Sequence, residues 1–383
     1  MTDRIPTKSP PGSISGTAAQ VPVLILGAGL MGRLLAVVLA QAGHRVRVVE
    51  ATDAQGTGSA ARVAAAMLAP LAESAITEPC VVAMGRHALL RWPELLSRLP
   101  EPAFFQRAGT LVLWHRQDEA QLHRFGSQMA NAARALPSLP RPQPQDSAGV
   151  AALEPALAAR FNQGLFLPEE GQLESRQLLR ILMETLPSLG VSVQWNTAYT
   201  LAQARAEQEH QGGWVLDCRG LGAQPDWSRL RGVRGEVLRL HAPDVHLNRP
   251  IRLLHPRYPI YIAPKPDHVY VVGATEIESS DSSPASVRST LELLSAAYAV
   301  HPGFGEARIL EIGTHNRPTL PDNLPSVRQI APQVLQINGL YRHGFLVAPA
   351  MLDVVCEWMQ HGRSQLAQAL GVPFAEPSLS TLH

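Results

Sequence analysis

Three glycines and one carboxylate have the spacing of a nucleotide-binding turn. Gly27, Gly29 and Gly32, in VLILGAGLMG (23–32), fit G-x-G-x-x-G. Gly27 permits a tight turn, Gly29 lets the backbone approach a pyrophosphate, and Gly32 allows close contact between helix and strand. A helix opening after the turn offers free N–H groups and its positive dipole end to the phosphates. Glu50, at the end of the next apolar run, can accept hydrogen bonds from a ribose diol. It would repel a 2′-phosphate, which disfavours NADP. The motif alone leaves NAD and FAD open.

These residues need a βαβ frame. The apolar run 23–26 reads as a strand, 34–42 as a small-sided helix and 45–49 as a second strand. The segment 58–74 (GSAARVAAAMLAPLAES) is unusually rich in small side chains. It reads either as a helix chosen for propensity alone or, since it follows the ribose acid, as backbone laid against a flat ring; the second reading is preferred. A helix over 80–96, with Pro93 inside it and Pro100 and Pro102 beyond, precedes a strand at 107–114. The stretch 136–146 reads as a proline-rich loop. In 164–175 a strand and a turn at Gly171 lead to an N-cap at Ser175. A helix over 176–186 and a strand over 191–195 could extend a parallel sheet. WVLDCRGLGA (214–223) reads as a strand entering a glycine turn, a second approach to the dinucleotide.

Residues 229–275 change character. VRGEVLRL, PIYIAPK and HVYVVGAT are β-branched or alternating runs with turn signals between them, which predicts an antiparallel sheet. A helix follows over 286–300. At 334–339 and 348–360 the pattern returns to strand, loop and helix. The expected fold is thus α/β plus α+β: a Rossmann-like domain with an inserted mixed or antiparallel β-sheet domain. The dinucleotide domain is expected at 21–95, 172–228 and 306–365, and the inserted domain at 96–171 and 229–305. Flexible tails are expected at 1–20 and 366–383.

Composition narrows the classes. Of 383 residues 45% are hydrophobic and 17% charged, with a formal net charge of +1, so electrostatics offers no case for nucleic acid or an anionic membrane as partner. No apolar run approaches the roughly 20 residues that span a bilayer, and 1–20 lacks the apolar core of a signal peptide. Cys80, Cys218 and Cys356 are few and widely spaced, which points to free thiols in a reducing cytoplasm. His255, His315 and His343 form no H-x-H, H-E-x-x-H or Cys/His cluster, so no metal site is expected.

Several of these segments resemble a known family. The chain is similar to the D-amino-acid-oxidase-type flavoenzymes, and within them to the glycine oxidases of thiamine biosynthesis. AAAMLAPLAE (64–73) resembles their A-A-G-M-L stretch, and VRGEVLRL, YIAPK and VVGAT resemble successive strands of their substrate domain. NRPTLPDNLP (316–325) resembles R-P-x-x-P-D-x-x-P, and NGLYRHGFLVAP (338–349) resembles G-x-x-R-x-G-x-x-x-A-P. The similarity runs in family order over nearly the whole chain after residue 20.

The resemblance implies FAD, seated between the two domains, and oxidation of glycine or another small amine. Imine or glyoxylate, ammonia and hydrogen peroxide would be the products, serving thiazole formation. It also implies oxygen as acceptor and a homo-oligomer, a tetramer in the family. By matching, Arg317 and Arg342 would engage the substrate carboxylate, for which the planar guanidinium fork is suited, and Tyr261 would hydrogen-bond it. Leu30 and Met31 would lie at the pyrophosphate, and Glu50 and Ala51 at the adenosine ribose. Ala60, Ala61, Ala65, Ala66 and Met67 would lie along the flavin, and Tyr199 would offer backbone groups to the adenine. Leu340, Tyr341, Arg342, His343, Gly344, Phe345 and Leu346 would complete the flavin pocket. The chain departs from the family at Arg62, where a small polar residue is common, at Ala66, where glycine is, and at Glu276, where an apolar residue is frequent. Two other readings keep the flavin: a D-amino-acid or sarcosine dehydrogenase that passes electrons to another carrier, and a non-catalytic flavin-binding protein.

Overall fold

The computed structural model describes residues 21–256 and 259–375. The expected tail at 1–20, and residues 376–383 of the other, lie outside the described residues. The strand Pro22–Leu26 is covered on both faces and is accordingly apolar throughout. The following helix is Leu30–Gln41, so it begins at Leu30 rather than at 34. Gly32 explains the difference: a Cβ there would lie 1.8 Å from the Gly27 carbonyl oxygen, so turn and first helical turn occupy the same space. The helix's one charged residue, Arg33, is only 1% exposed. It donates to the carbonyls of Ala28, Leu179 and Ala54, at 2.6, 2.6 and 3.0 Å, which satisfies a cation that burial would otherwise penalise.

Seven strands form the first sheet, in the order Phe374–Ala375, Ser326–Ala331, Val334–Asn338, Trp214–Asp217, Pro22–Leu26, Arg45–Val49, Ser192–Gln194. The last five are parallel, and Ser326–Ala331 is antiparallel to its neighbour Val334–Asn338. The helices Leu30–Gln41, Pro79–Ser97 and Gly344–His361 pack together in the main apolar core beside it. Gly344–His361 starts at Gly344, earlier than the predicted 348, and contains Pro349. A proline cannot donate to the carbonyl four residues back, here that of Phe345. The buried Trp92 indole supplies the missing donor at 3.0 Å.

The second sheet has eight strands, in the order Arg308–Thr319, Arg231–His241, Val269–Gly273, Ile260–Lys265, Ile251–Leu254, Thr110–Trp114, Gly164–Leu167, Gln143–Gln145. It is antiparallel except where Ile251–Leu254 lies beside Thr110–Trp114. A small sheet of Met67–Leu68, Gly171–Leu173 and Phe105–Gln106 sits apart from both.

Five further details depart from expectation. Gln143–Gln145, within the stretch read as a proline-rich loop, pairs as a strand with Gly164–Leu167. Residues 308–319 pair along their length with Arg231–His241 and so belong to the second sheet, not to a dinucleotide segment opening at 306; a register shift opposite Arg239/Leu240 breaks the alternation that would have revealed the strand. Residues 366–375 are not tail: they hold most of the helix Gln365–Leu370 and a strand that joins the first sheet. Glu174, not Ser175, caps the helix Ser175–Thr185 by accepting from Gln177 N. Gly171 opens a strand, and the turn before it carries Glu169 at φ 63°.

Candidate active site

A cavity of about 910 Å³ runs from the glycine turn of the first sheet to the face of the second. Its nucleotide end is made of backbone. Gly27 has φ 91°, and a Cβ on it would meet the Cys218 carbonyl oxygen at 2.7 Å. No side chain caps the helix at Gly29 and no acid stands in its first turn. The first N–H groups of the helix therefore have no intrahelical acceptor, and Gly29, Leu30 and Met31 line the cavity there. Glu50 also lines it, but its carboxylate is already engaged. Oε2 accepts from Ala28 N at 2.5 Å, and Oε1 accepts from Thr52 N and Oγ1, each at 2.8 Å. The acid thus shapes the glycine turn and keeps only part of its acceptor capacity for a ribose.

Two expected contacts fall outside the wall. Ala51 is exposed and does not line the cavity. Tyr199 is turned to the surface, where its hydroxyl donates to Glu207 at 2.8 Å and its ring faces Arg47. Its carbonyl accepts from Arg219, which does line the cavity.

The small-residue segment lies along the cavity, with Gly58, Ser59, Ala60, Ala61, Ala65, Ala66 and Met67 in its wall. It is not one helix. A four-residue helix, Ala60–Val63, capped by Ser59, gives way to extended backbone and the strand Met67–Leu68. Ala66 stands at φ 53° with its carbonyl accepting from Leu173 N at 3.0 Å. That left-handed conformation favours glycine, which accounts for the family's glycine at this position. Arg62 points away from the cavity, toward the Gln55 carbonyl at 3.4 Å, so its charge does not face the cofactor space.

Lys265 holds this segment from beneath. Its Nζ donates to the carbonyls of Ala65 and Leu173 and to Gln172 Oε1, at 2.8, 2.6 and 2.9 Å. Burial, only partly countered by Glu174, pulls its ammonium down to about 7. The segment's far end enters the helix Pro70–Glu73.

The other end of the cavity is made of side chains. Arg317, on Arg308–Thr319, reaches past Gly235, where a Cβ would lie 2.2 Å from its Nη2. The guanidinium donates to the Arg234 and Thr275 carbonyls, at 3.2 and 3.0 Å. It has no carboxylate partner among the described residues, and burial lowers its pKa. Tyr261 enters the same space opposite Gly273, where a Cβ would lie 2.8 Å from its hydroxyl. That hydroxyl has no hydrogen-bond partner among the described residues, and burial raises its pKa. An unpaired guanidinium fork and a free phenol thus face the cavity together.

Arg342 is differently placed. It pairs with Glu276 at 2.8 Å and Glu73 at 2.9 Å, two carboxylates that hold it charged and leave it little to offer an anion. Glu73 also faces Arg252 at 3.5 Å and His343 Nε2 at 3.0 Å. Burial pushes its pKa up, but the Arg342 guanidinium, the hydrogen bond to His343 and the Arg252 guanidinium together outweigh it and keep the carboxylate ionised. His343 Nε2 stands between two groups of opposite demand, the Glu73 carboxylate, which only accepts, and Arg342 Nε at 3.2 Å, which only donates. Burial lowers the imidazole's pKa and keeps it neutral. Glu73, Arg252 and Glu276 as charge partners are not signalled by any motif. They come from separate elements, and only the fold joins them. Among the described residues no cluster of three or more His, Cys, Asp or Glu is placed to hold a metal.

Leu340, Tyr341, Arg342, His343, Gly344, Phe345 and Leu346 all line the cavity, and a Cβ on Gly344 would meet open space. The Gly344–His361 helix starts there with no side-chain cap. Trp92 holds the Phe345 carbonyl, while Leu346 fits against Gly85, where a Cβ would lie 2.6 Å from its Cδ1.

A glycine turn feeding a helix in a parallel sheet, joined by one cavity to a charged face of a second sheet, defines a dinucleotide-dependent oxidoreductase of two-sheet design. Residues 22–358 match the family described as FAD dependent oxidoreductase (DAO), and the chain belongs to that family. It is 41% identical over 333 residues to the putative thiamine biosynthesis oxidoreductase ThiO of Rhizobium etli, covering 87% of this chain and 94% of that protein. Its fold is that of iminodiacetate oxidase from Chelativorans sp. BNC1 (TM-score 0.75, 21% identity, 93% of this chain and 100% of that one). It is also that of glycine oxidase from Geobacillus kaustophilus (TM-score 0.73, 23% identity, 89% and 95%). The cofactor of the family, FAD, fits the cavity. The glycine cradle and uncapped helix end suit its pyrophosphate, and the small-residue wall and the open space at Gly344 leave room for a flat ring.

Proposed function

We propose that the chain oxidises glycine or a similarly small amine, supplying the imine or glyoxylate for thiazole formation in thiamine biosynthesis. The observation that carries this reading is Arg317, a half-buried cation without a carboxylate partner beside the free hydroxyl of Tyr261. A substrate carboxylate would complete both. The Rhizobium etli relative supports the place in thiamine biosynthesis.

In this reading Leu30, Met31 and the three glycines hold the pyrophosphate and Glu50 the ribose. Ala60, Ala61, Ala65, Ala66 and Met67 form one side of the flavin site, and 340–346 the other. FAD, when bound, would supply the hydride acceptor and the route by which the substrate's electrons pass to oxygen, with hydrogen peroxide as the product. The chain's own residues bind and orient. Arg317 grips the carboxylate in a fork, and Tyr261 donates to it. Together they fix the direction of the α-C–H bond. No residue need take a proton if the amine enters uncharged. Arg342 braces the loop through Glu73 and Glu276 instead of serving as a second carboxylate anchor.

The same proposal holds the enzyme to be cytoplasmic, oxygen-using and homo-oligomeric. No helix among the described residues is long and apolar enough to cross a membrane. Exposed Val287, Leu291, Tyr298, Ile309, Leu310 and Ile312 offer apolar surface for a second copy.

The test is anaerobic mixing of the yellow protein with excess glycine. Bleaching of the flavin, then recovery with peroxide on admitting air, is expected. No bleaching with glycine, sarcosine or small D-amino acids overturns the amine-oxidase reading. Bleaching with only slow recovery in air transfers the electrons to another carrier.

A further inference from the structure

We propose that Glu276 receives the substrate's amine, so that this pocket selects an amino acid with a free amine over an acid that carries a carboxylate alone. The proposal rests on the amine-oxidase reading above and names the group that reads the nitrogen.

The geometry starts from one peptide. Arg317 Nη2 donates to the Thr275 carbonyl at 3.0 Å, and the next residue is Glu276. The cation and the anion are therefore tethered to adjacent positions on the same wall. Each influences the other's ionisation, yet they do not pair. An α-amino acid presents a carboxylate and an amine one carbon apart, which matches a guanidinium and a carboxylate held side by side and not paired with each other.

Glu276 has capacity to spare. A carboxylate offers about four acceptor sites. Arg342 Nη1 takes one at 2.8 Å and Tyr341 also hydrogen-bonds it. Its side chain remains 47% exposed, on the cavity wall. Neutralising Arg342 does not account for it, because Glu73 already does that at 2.9 Å.

The charges agree. Arg252, Arg317 and Arg342 face Glu73 and Glu276, and His343 is neutral. Arg288 and Glu292 in the same wall offset each other at 4.0 Å. One positive charge is in surplus, which a carboxylate with an uncharged amine balances. That is the protonation state from which a hydride can leave.

The experiment compares the holoenzyme with Glu276→Gln, which keeps shape and the bond to Arg342, and with Glu276→Asp, which keeps charge. Glycine and acetate binding are read from the flavin spectrum, and flavin reduction is followed against pH. In Glu276→Gln glycine should weaken about tenfold, the worth of one charge-assisted hydrogen bond, while acetate binds as before or tighter. The acid limb of reduction should move down by about one pH unit, because loss of the anion lowers the amine's pKa. Glu276→Asp should restore the limb. Parallel weakening of glycine and acetate overturns the proposal, as does an unshifted limb with unchanged glycine binding. Should glycine fail to reduce the parent enzyme, the amine-oxidase reading falls separately, and the contrast between glycine and acetate binding still decides the role of Glu276.

Discussion

The two ends of the cavity are built of different materials. The nucleotide end is mostly glycine and free N–H groups, with Glu50 partly engaged in shaping its own turn and Arg219 the other charged side chain on that wall. The substrate end is a set of guanidinium and carboxylate side chains, drawn from Pro70–Glu73, Ile251–Leu254, Arg308–Thr319 and two loops. A phosphate chain has the same shape in every flavoenzyme, and backbone suffices to hold it. A substrate must be told from its neighbours, which takes groups whose charge and reach can be exchanged.

If this contrast holds, substitutions at the two ends should fail in different ways. The largest effect is expected at the backbone end. Gly32→Ala places a Cβ 1.8 Å from the Gly27 carbonyl, a contact neither partner can escape. The ratio of flavin to protein absorbance should fall by more than about tenfold. Full flavin content would show that the turn is softer than its packing implies. Next comes Arg317→Lys, which keeps the charge and loses the fork. It should keep its FAD and lose about 100-fold in kcat/KM for glycine. Loss of flavin there would break the division between the two ends. The smallest effect sharpens the contrast within the small-residue wall. Ala66→Gly relieves a left-handed alanine at φ 53° and should raise stability by about 1 kcal/mol in denaturant unfolding, with flavin content unchanged.

The same difference governs what could be read beforehand. The G-x-G-x-x-G spacing encodes the nucleotide end directly, because each glycine answers a local steric demand. The antiparallel run over 229–275 was equally plain from its β-branched alternation. The strand Arg308–Thr319 was hidden, since Leu310 falls at a register shift and its neighbours lose the period of two. Arg317 is singled out by its motif, not by any property of arginine, and the fold sets it in the cavity wall. Glu73 stood inside a recognised segment without a visible role, because its partners Arg342, Arg252 and His343 are remote in sequence and near only in the fold. Ala51 shows the converse: adjacency in sequence to a ribose acid does not turn a residue inward.

The hydrogen bond from Trp92 to the Phe345 carbonyl has a bearing on descent. Pro349 withholds the amide that this carbonyl would ordinarily receive, and an indole from a remote helix stands in for it. Exchanging the tryptophan would strand a carbonyl in the core for as long as Pro349 is present, whereas an amide at 349 would bring a second donor to an oxygen with two lone pairs. The order of change is thereby set: the proline can be exchanged first at no cost to this carbonyl, the tryptophan only after it.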